Sequence, residues 1–186
     1  MEEKLRITQV LYFRYLCLMK SAIIKTSRLT LSEFQLTDAP FVLTLLNTPT
    51  WLQYIGDRGV KNLADAEKYI EQKLIKSYRE NGFGLYMVSL KEEIPIGMCG
   101  LVNRPTLEDV DIGFAMLPKY AGKGYGFESA KAVLEWARDE LKLNRIVGIT
   151  VPDNKYSIKL LEKIGLQFEE KMDQGEEVLL LFGIDF

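Results

Sequence analysis

Between Leu117 and Glu128 the chain passes from a strand-like run into a helical one across Gly122, Gly124 and Gly126, three glycines at alternate positions. A strand that hands over to a helix in this way opens a β-α-β crossover, and the rest of the unit follows at once. A helix reads over 124–141, with Phe127, Ala130, Leu134, Ala137 and Leu141 on one face. A strand reads over 145–151, a second helix over 154–164, and two further strands near 167–172 and 177–185. Such a crossover requires a sheet whose faces are covered by helices. Upstream, strands over 84–90, 94–103 and 109–116 are separated only by polar turns, which is hairpin spacing. Residues 28–34 alternate polar and apolar. Thr37-Asp38-Ala39-Pro40 is a helix start, followed by the apolar stripe Phe41, Val42, Leu45 and Leu46. A longer helix reads over 63–80, with Ala66, Tyr69, Ile70, Leu74 and Tyr78 on one face and Gly82 past its end.

The fold class these elements predict is α/β. Its sheet is mixed and mostly antiparallel, with six or seven strands and helices on both faces. One domain over 26–186 is expected after an extension over 1–25. The apolar run over 10–19 is broken by Arg14 and is too short to span a bilayer; nor does it carry the pattern of a secretory signal. Met19 is an alternative natural start.

Composition removes several chemistries. The chain has no histidine, so a Ser-His-Asp triad and a Cys-His pair are both excluded. With Cys17 and Cys99 as the only cysteines, a Cys/His zinc site cannot be assembled, and reduced thiols in a cytoplasmic protein are expected. A net charge of −2 gives no electrostatic reason to bind nucleic acid or an anionic membrane.

The glycine junction is the strongest chemical signal. Glycine lets backbone N–H groups approach a ligand, and a helix N-terminus carries unpaired donors and partial positive charge. Together these form an anion site, with phosphate the usual anion, and Lys119 and Lys123 add charge at its edge. Neither the Walker pattern nor the dinucleotide fingerprint is present. A turn that merely fits a tight corner is the alternative. After Pro152-Asp153, the residues Asn154, Ser157 and Leu161 share one helix face at the carboxyl end of a strand beside the glycine loop, a position suited to a ligand cleft.

Lys119-x-x-Gly122-x-Gly124, then Val151-Pro152-Asp153-Asn154-x-x-Ser157, then Leu160-Leu161-Glu162-Lys163-Ile164-Gly165 resemble the GNAT superfamily of acetyl-CoA-dependent N-acetyltransferases, most closely its RimJ/RimL branch, which acetylates protein N-termini. The resemblance runs from about Ser27 to Phe186. It implies a sheet splayed between the strands over 109–116 and 145–151. The coenzyme A diphosphate would lie on the amides of Gly122, Lys123, Gly124, Tyr125 and Gly126, and the pantetheine arm along Phe114, Ala115, Met116 and Leu117. Lys119, Asn154 and Ser157 would also face the coenzyme. Three departures stand out: Lys119 replaces a Gln or Arg, Leu161 replaces a tyrosine that serves many relatives as acid, and Leu166 replaces a Phe.

Within that frame Ser157 is the expected general acid for the departing thiolate. A backbone N–H of Met116 or Leu117 is the expected oxyanion donor, and Asp111 the expected base through water, ahead of Glu108 and Glu33. Trp51, Tyr54 and Tyr86 are expected acceptor contacts. The acceptor class follows from pKa values: an α-amine near 7.8 and a lysine near 10.4 differ roughly 400-fold in neutral fraction at pH 7. One aspartate suits the α-amine of a protein or peptide, or another amine of low pKa. The rival readings are a small-molecule acetyltransferase (aminoglycoside, polyamine or amino acid) and an idle acyl-CoA-binding regulatory domain. The chain is expected to be a monomer or homodimer.

Overall fold

The computed structural model describes residues 21–91, 93–174 and 177–186. Eight strands form one sheet: β1 (Ala22–Lys25), β2 (Leu29–Ser32), β3 (Leu85–Leu90), β4 (Pro95–Val102), β5 (Asp111–Met116), β6 (Arg145–Thr150), β7 (Gln167–Gln174) and β8 (Glu177–Asp185). Their spatial order is β1-β2-β3-β4-β5-β6-β8-β7, antiparallel throughout except where β5 meets β6. The sheet therefore has one strand more than expected. The addition is β1, which lies within the stretch read as an extension and forms the sheet's edge against β2. The possible start at Met19 lies outside the described residues.

Helices α1 (Ala39–Leu46), α2 (Pro49–Tyr54), α3 (Leu63–Tyr69) and α4 (Lys76–Asn81) cover one face, while α5 (Tyr125–Asp139) and α6 (Lys155–Lys163) cover the other. A π-helical turn, Ile70–Ile75, joins α3 to α4, so the helix read over 63–80 is continuous but widened at its centre. Its apolar residues explain the widening. Ala66, Ile70, Leu74 and Tyr78 recur every fourth position, and a helix of about 3.6 residues per turn would carry that row steadily around its axis. One wide turn returns the row to the core. Helix α2 went unread, although Thr48, whose hydroxyl accepts from the Trp51 N–H, and Pro49 form an ordinary start signal.

Strand alternation splits the core in two. Tyr86, Val88 and Ile112 pack with Ala130, Val133 and Leu134 of α5; Met87 and Met98 pack on the other face with Val42, Leu45, Ala66 and Ile70.

A single parallel bridge, Asp111 to Val147, joins β5 to β6, and beyond it the two strands diverge. This is the expected splay, and it opens toward the glycine junction.

Candidate active site

Register fixes which backbone groups of β5 face the gap. Leu117 N–H donates to the Ile96 carbonyl, and the antiparallel pairing runs without a break from Gly97–Met116 to Val102–Asp111. Backbone groups alternate sides along a strand, so Gly113, Ala115 and Leu117 turn theirs toward β4 while Phe114 and Met116 turn theirs toward the splay. The Met116 N–H therefore faces the gap. Leu117, the alternative oxyanion donor, is already used by β4.

Where β5 ends, a 3-10 turn, Pro118–Tyr120, leads into the glycine loop. Gly122 and Gly124 have φ of 72° and 82°, the left-handed conformation in which glycine is at ease. Gly124 caps α5, and Glu128 N–H is the first to bond back to it. The amides of Tyr125, Gly126 and Phe127 are thus the unpaired donors of the helix start. Phe127, outside the sequence-level set, completes the group. The ammonium of Lys119 lies 4.9 Å and that of Lys123 5.7 Å from the Tyr120 ring centre, so both stay at the loop's edge.

Two residues that sequence reasoning missed hold this loop. The Glu128 carboxylate accepts from Thr26 Oγ1 (2.6 Å), Ser27 Oγ (3.1 Å), Arg28 N–H (2.9 Å) and Arg28 Nε (2.6 Å). Partial burial works against its charge, but the bonds from Thr26, Arg28 and Ser27 hold the carboxyl below its ordinary range. Arg28 also donates to the Lys123 carbonyl at 3.2 Å, and its guanidinium carbon lies 4.6 Å from the Tyr125 ring centre. The β1–β2 turn is thereby clamped to the start of α5 across about 100 residues of sequence. No local pattern could announce that pairing.

On the opposite wall, Asn154 Oδ1 caps α6 by accepting from Ser157 N–H at 3.1 Å. Ser157 is nearly buried on the inward face, beside Leu161, whose side chain closes on Gly148 of β6. The departure at Leu161 is thus a packing contact between α6 and the sheet.

Asp111 is placed differently from its sequence-level role. It stands at the vertex of the splay with its side chain 2% exposed. One oxygen accepts from Arg104 Nε at 2.5 Å and the other from Ile149 N–H at 3.3 Å. Burial, opposed by the Arg104 charge and by both hydrogen bonds, pushes its pKa up to about 6. Both oxygens are engaged and the carboxylate is closed to solvent, so it does not face the cleft as an open base would. Trp51 (4% exposed) and Tyr86 (1%) are core residues and cannot touch an acceptor. Tyr86 stacks on Tyr78 and meets Trp136 edge-on, and burial pushes its phenol up to about 12. Of the three aromatics only Tyr54 is at a cleft, shared with Asp153, Lys155, Tyr156 and Lys159. Glu33 lines a separate groove with Phe34 and Tyr78, and Glu108 is exposed on the β4–β5 turn. Among the described residues no group of His, Cys, Asp and Glu could hold a metal ion, and no helix is long and apolar enough to cross a membrane.

A splayed α/β sheet with a glycine-capped anion loop at the open end is the architecture of an acyl-coenzyme A-dependent transferase. The acetyltransferase (GNAT) domain model matches residues 28–167, and the chain belongs to that family. It is 29% identical over 158 residues to the uncharacterized N-acetyltransferase YnaD of Bacillus subtilis, covering 83% of this chain and 90% of that one. Among solved structures it resembles a GNAT-family acetyltransferase from Bacillus anthracis (27% identity, TM-score 0.73, 87% and 97% of the two chains). It also shares the fold of RimL, a ribosomal L7/L12 alpha-N-protein acetyltransferase in complex with coenzyme A (18% identity, TM-score 0.75, 89% and 98% of the chains). The protein is an acetyl-CoA-dependent N-acetyltransferase.

Proposed function

We propose that the chain moves the acetyl group of acetyl-CoA directly to an α-amine at a protein or peptide N-terminus, without an acyl-enzyme. The observation that carries this reading is the gap between β5 and β6. One edge of it offers the Phe114 and Met116 backbone groups, one end the amides of Tyr125, Gly126 and Phe127, and the far wall Ser157. The diphosphate rests on the loop amides with Lys119 and Lys123 beside it, and the pantetheine arm pairs with β5 as an added strand. An arm entering from the loop meets Met116 first, so Phe114, one step deeper, is the better placed oxyanion donor and Met116 holds the arm. The chain has no histidine to activate a hydroxyl and Cys99 is buried in the core, so the amine attacks the thioester itself.

Ser157 Oγ gives a proton to the departing thiolate and regains one, through water, from the nitrogen that has attacked. The thiolate's conjugate acid has a pKa of about 8.5, so the hydroxyl helps without being indispensable. Asp111 acts as a positioning residue: it fixes Arg104 and takes the Ile149 N–H that a continuous ladder would otherwise use. An α-amine is roughly one-tenth neutral at pH 7, so loss of its proton to water suffices. With Asp111 closed to solvent, the expected base is not open to the gap, which argues against lysine as acceptor. RimL, which shares the fold, is an alpha-N-protein acetyltransferase, in keeping with this reading.

Titration calorimetry with acetyl-CoA, followed by thiol release with a panel of peptides, tests it. Thiol release is expected with free α-amino peptides and not with peptides blocked at the N-terminus that retain lysine. Ser157→Ala is expected to lower kcat about 10- to 100-fold with acetyl-CoA affinity within about twofold. Release with the blocked lysine peptides would overturn the α-amine assignment; unchanged kcat would remove Ser157 from the reaction.

A further inference from the structure

The cleft that Tyr54 shares with α6 has a volume of about 390 Å³, and its remaining lining is Asp153, Lys155, Tyr156 and Lys159. It joins the acceptor-side helix α2 to the first turns of α6, the same turns that carry Asn154 and Ser157. Its charge is one-sided. Lys155 donates to the Pro152 carbonyl at 2.8 Å, which seats its ammonium at the helix start, and Lys159 lies one turn on along the same face. Asp153 is the single acid of the lining.

The chain leaving α2 adds to this bias. From Tyr54 it turns through Gly56 and Gly59, at φ of 95° and 71°, and is pinned again where Asn47 Nδ2 donates to the Val60 carbonyl at 2.9 Å. Arg58 is exposed on that turn. Two acids near it in sequence have partners: Asp57 pairs with Lys61 at 2.7 Å, and the Asp65 carboxylate accepts from the Lys61 N–H at 2.9 Å. The charges of Arg58 and Arg104 both reach the half-buried Tyr69 phenol on α3, where they act against the effect of its burial.

Resting on the α-amine reading above, we infer that this cleft selects an acidic acceptor: a peptide whose first residues after the reacting N-terminus carry carboxylates, received by Lys155 and Lys159 between the rings of Tyr54 and Tyr156. A peptide in extended conformation presents every second side chain to the α6 wall, where Lys155 and Lys159 stand one turn apart. Rings at the mouth let an extended backbone lie flat, and Tyr156 is 84% exposed there. Polyamines and aminoglycosides, being polycations, are disfavoured by the same surface.

The test uses the full chain and three hexapeptides with a common first residue. Their second to fourth positions are all acidic, all neutral or all basic. Thiol release from acetyl-CoA is followed at low and at high salt for the wild type and for Lys155→Glu/Lys159→Glu. The wild type is expected to favour the acidic over the basic peptide about tenfold in kcat/KM at low salt, with the preference shrinking at high salt. The double variant is expected to reverse the order while KM for acetyl-CoA stays the same. Equal kcat/KM for the three peptides, or an order that the double variant leaves in place, overturns the inference and leaves the α-amine reading intact. Thiol release with none of the three, although acetyl-CoA binds, overturns both.

Discussion

Asp111 is a carboxylate at the centre of the splay that the fold closes to solvent. Its side chain is buried at the point where β5 and β6 part, and it is held there by Arg104 and the Ile149 N–H. Burial has raised its pKa from an ordinary 3.8 to about 6, so the folded protein prefers the protonated form more than the unfolded chain does. The contribution to stability is therefore fully present below about pH 4 and is lost as pH rises through about 6. The difference between those two values corresponds to about 3 kcal/mol. Urea unfolding from pH 4 to pH 8 should show the wild type losing up to about that much stability relative to Asp111→Asn, whose amide does not titrate. A constant gap across the range would mean that Arg104 compensates the buried charge completely.

At the scale of the element, the loop before α5 divides its glycines by task. A side chain on Gly122 would meet nothing within 4 Å, so its requirement is the left-handed φ alone. A side chain on Gly124 would lie 3.3 Å from the Arg28 guanidinium and at the mouth of the unpaired helix amides. Gly122→Ala should then cost about 1 kcal/mol of stability and leave acetyl-CoA affinity within a few-fold. Gly124→Val should abolish acetyl-CoA binding in calorimetry while circular dichroism still reports a folded chain. Wild-type affinity in Gly124→Val would rule out the loop as the diphosphate site. These elements were legible because their signals are local: the glycines, the stop at Pro152-Asp153 before α6, the stripe on α5 and the hairpin spacing of β3 to β5 all lie within a few residues of what they specify. The same reading missed β1, whose four residues have no turn signal of their own, and the clamp of Arg28 on Glu128, whose partners are a hundred positions apart. It placed Trp51 and Tyr86 in the cleft because an aromatic residue carries no mark of which face it will bury. It took Asp111 for an open base because only the folded β4–β5 turn brings Arg104 to it.

Taken as a whole, the molecule is two half-sheets, β1–β5 and β6–β8, that touch along their length at one bridge and are otherwise tied through α5 and α6. A sheet ordinarily satisfies its backbone groups across every neighbouring strand. Here the amides of Phe114 and Met116 face a gap that β6 does not close. Hydrogen exchange of individual β5 amides tests whether that gap is filled by the thioester's arm. In the free protein Phe114 and Met116 should exchange quickly, while Gly113, Ala115 and Leu117, bonded to β4, should exchange slowly. Saturating acetyl-CoA should slow Phe114 and Met116 by at least about tenfold and leave the alternate three nearly unchanged, because an added strand bonds only the edge it meets. ATP or NAD at the same concentration should leave all five as they were. Uniform slowing of all five amides would point instead to a general stiffening on ligand binding. No change at Phe114 would mean that the arm lies elsewhere, and the reaction geometry derived from the open edge of β5 would fall with it.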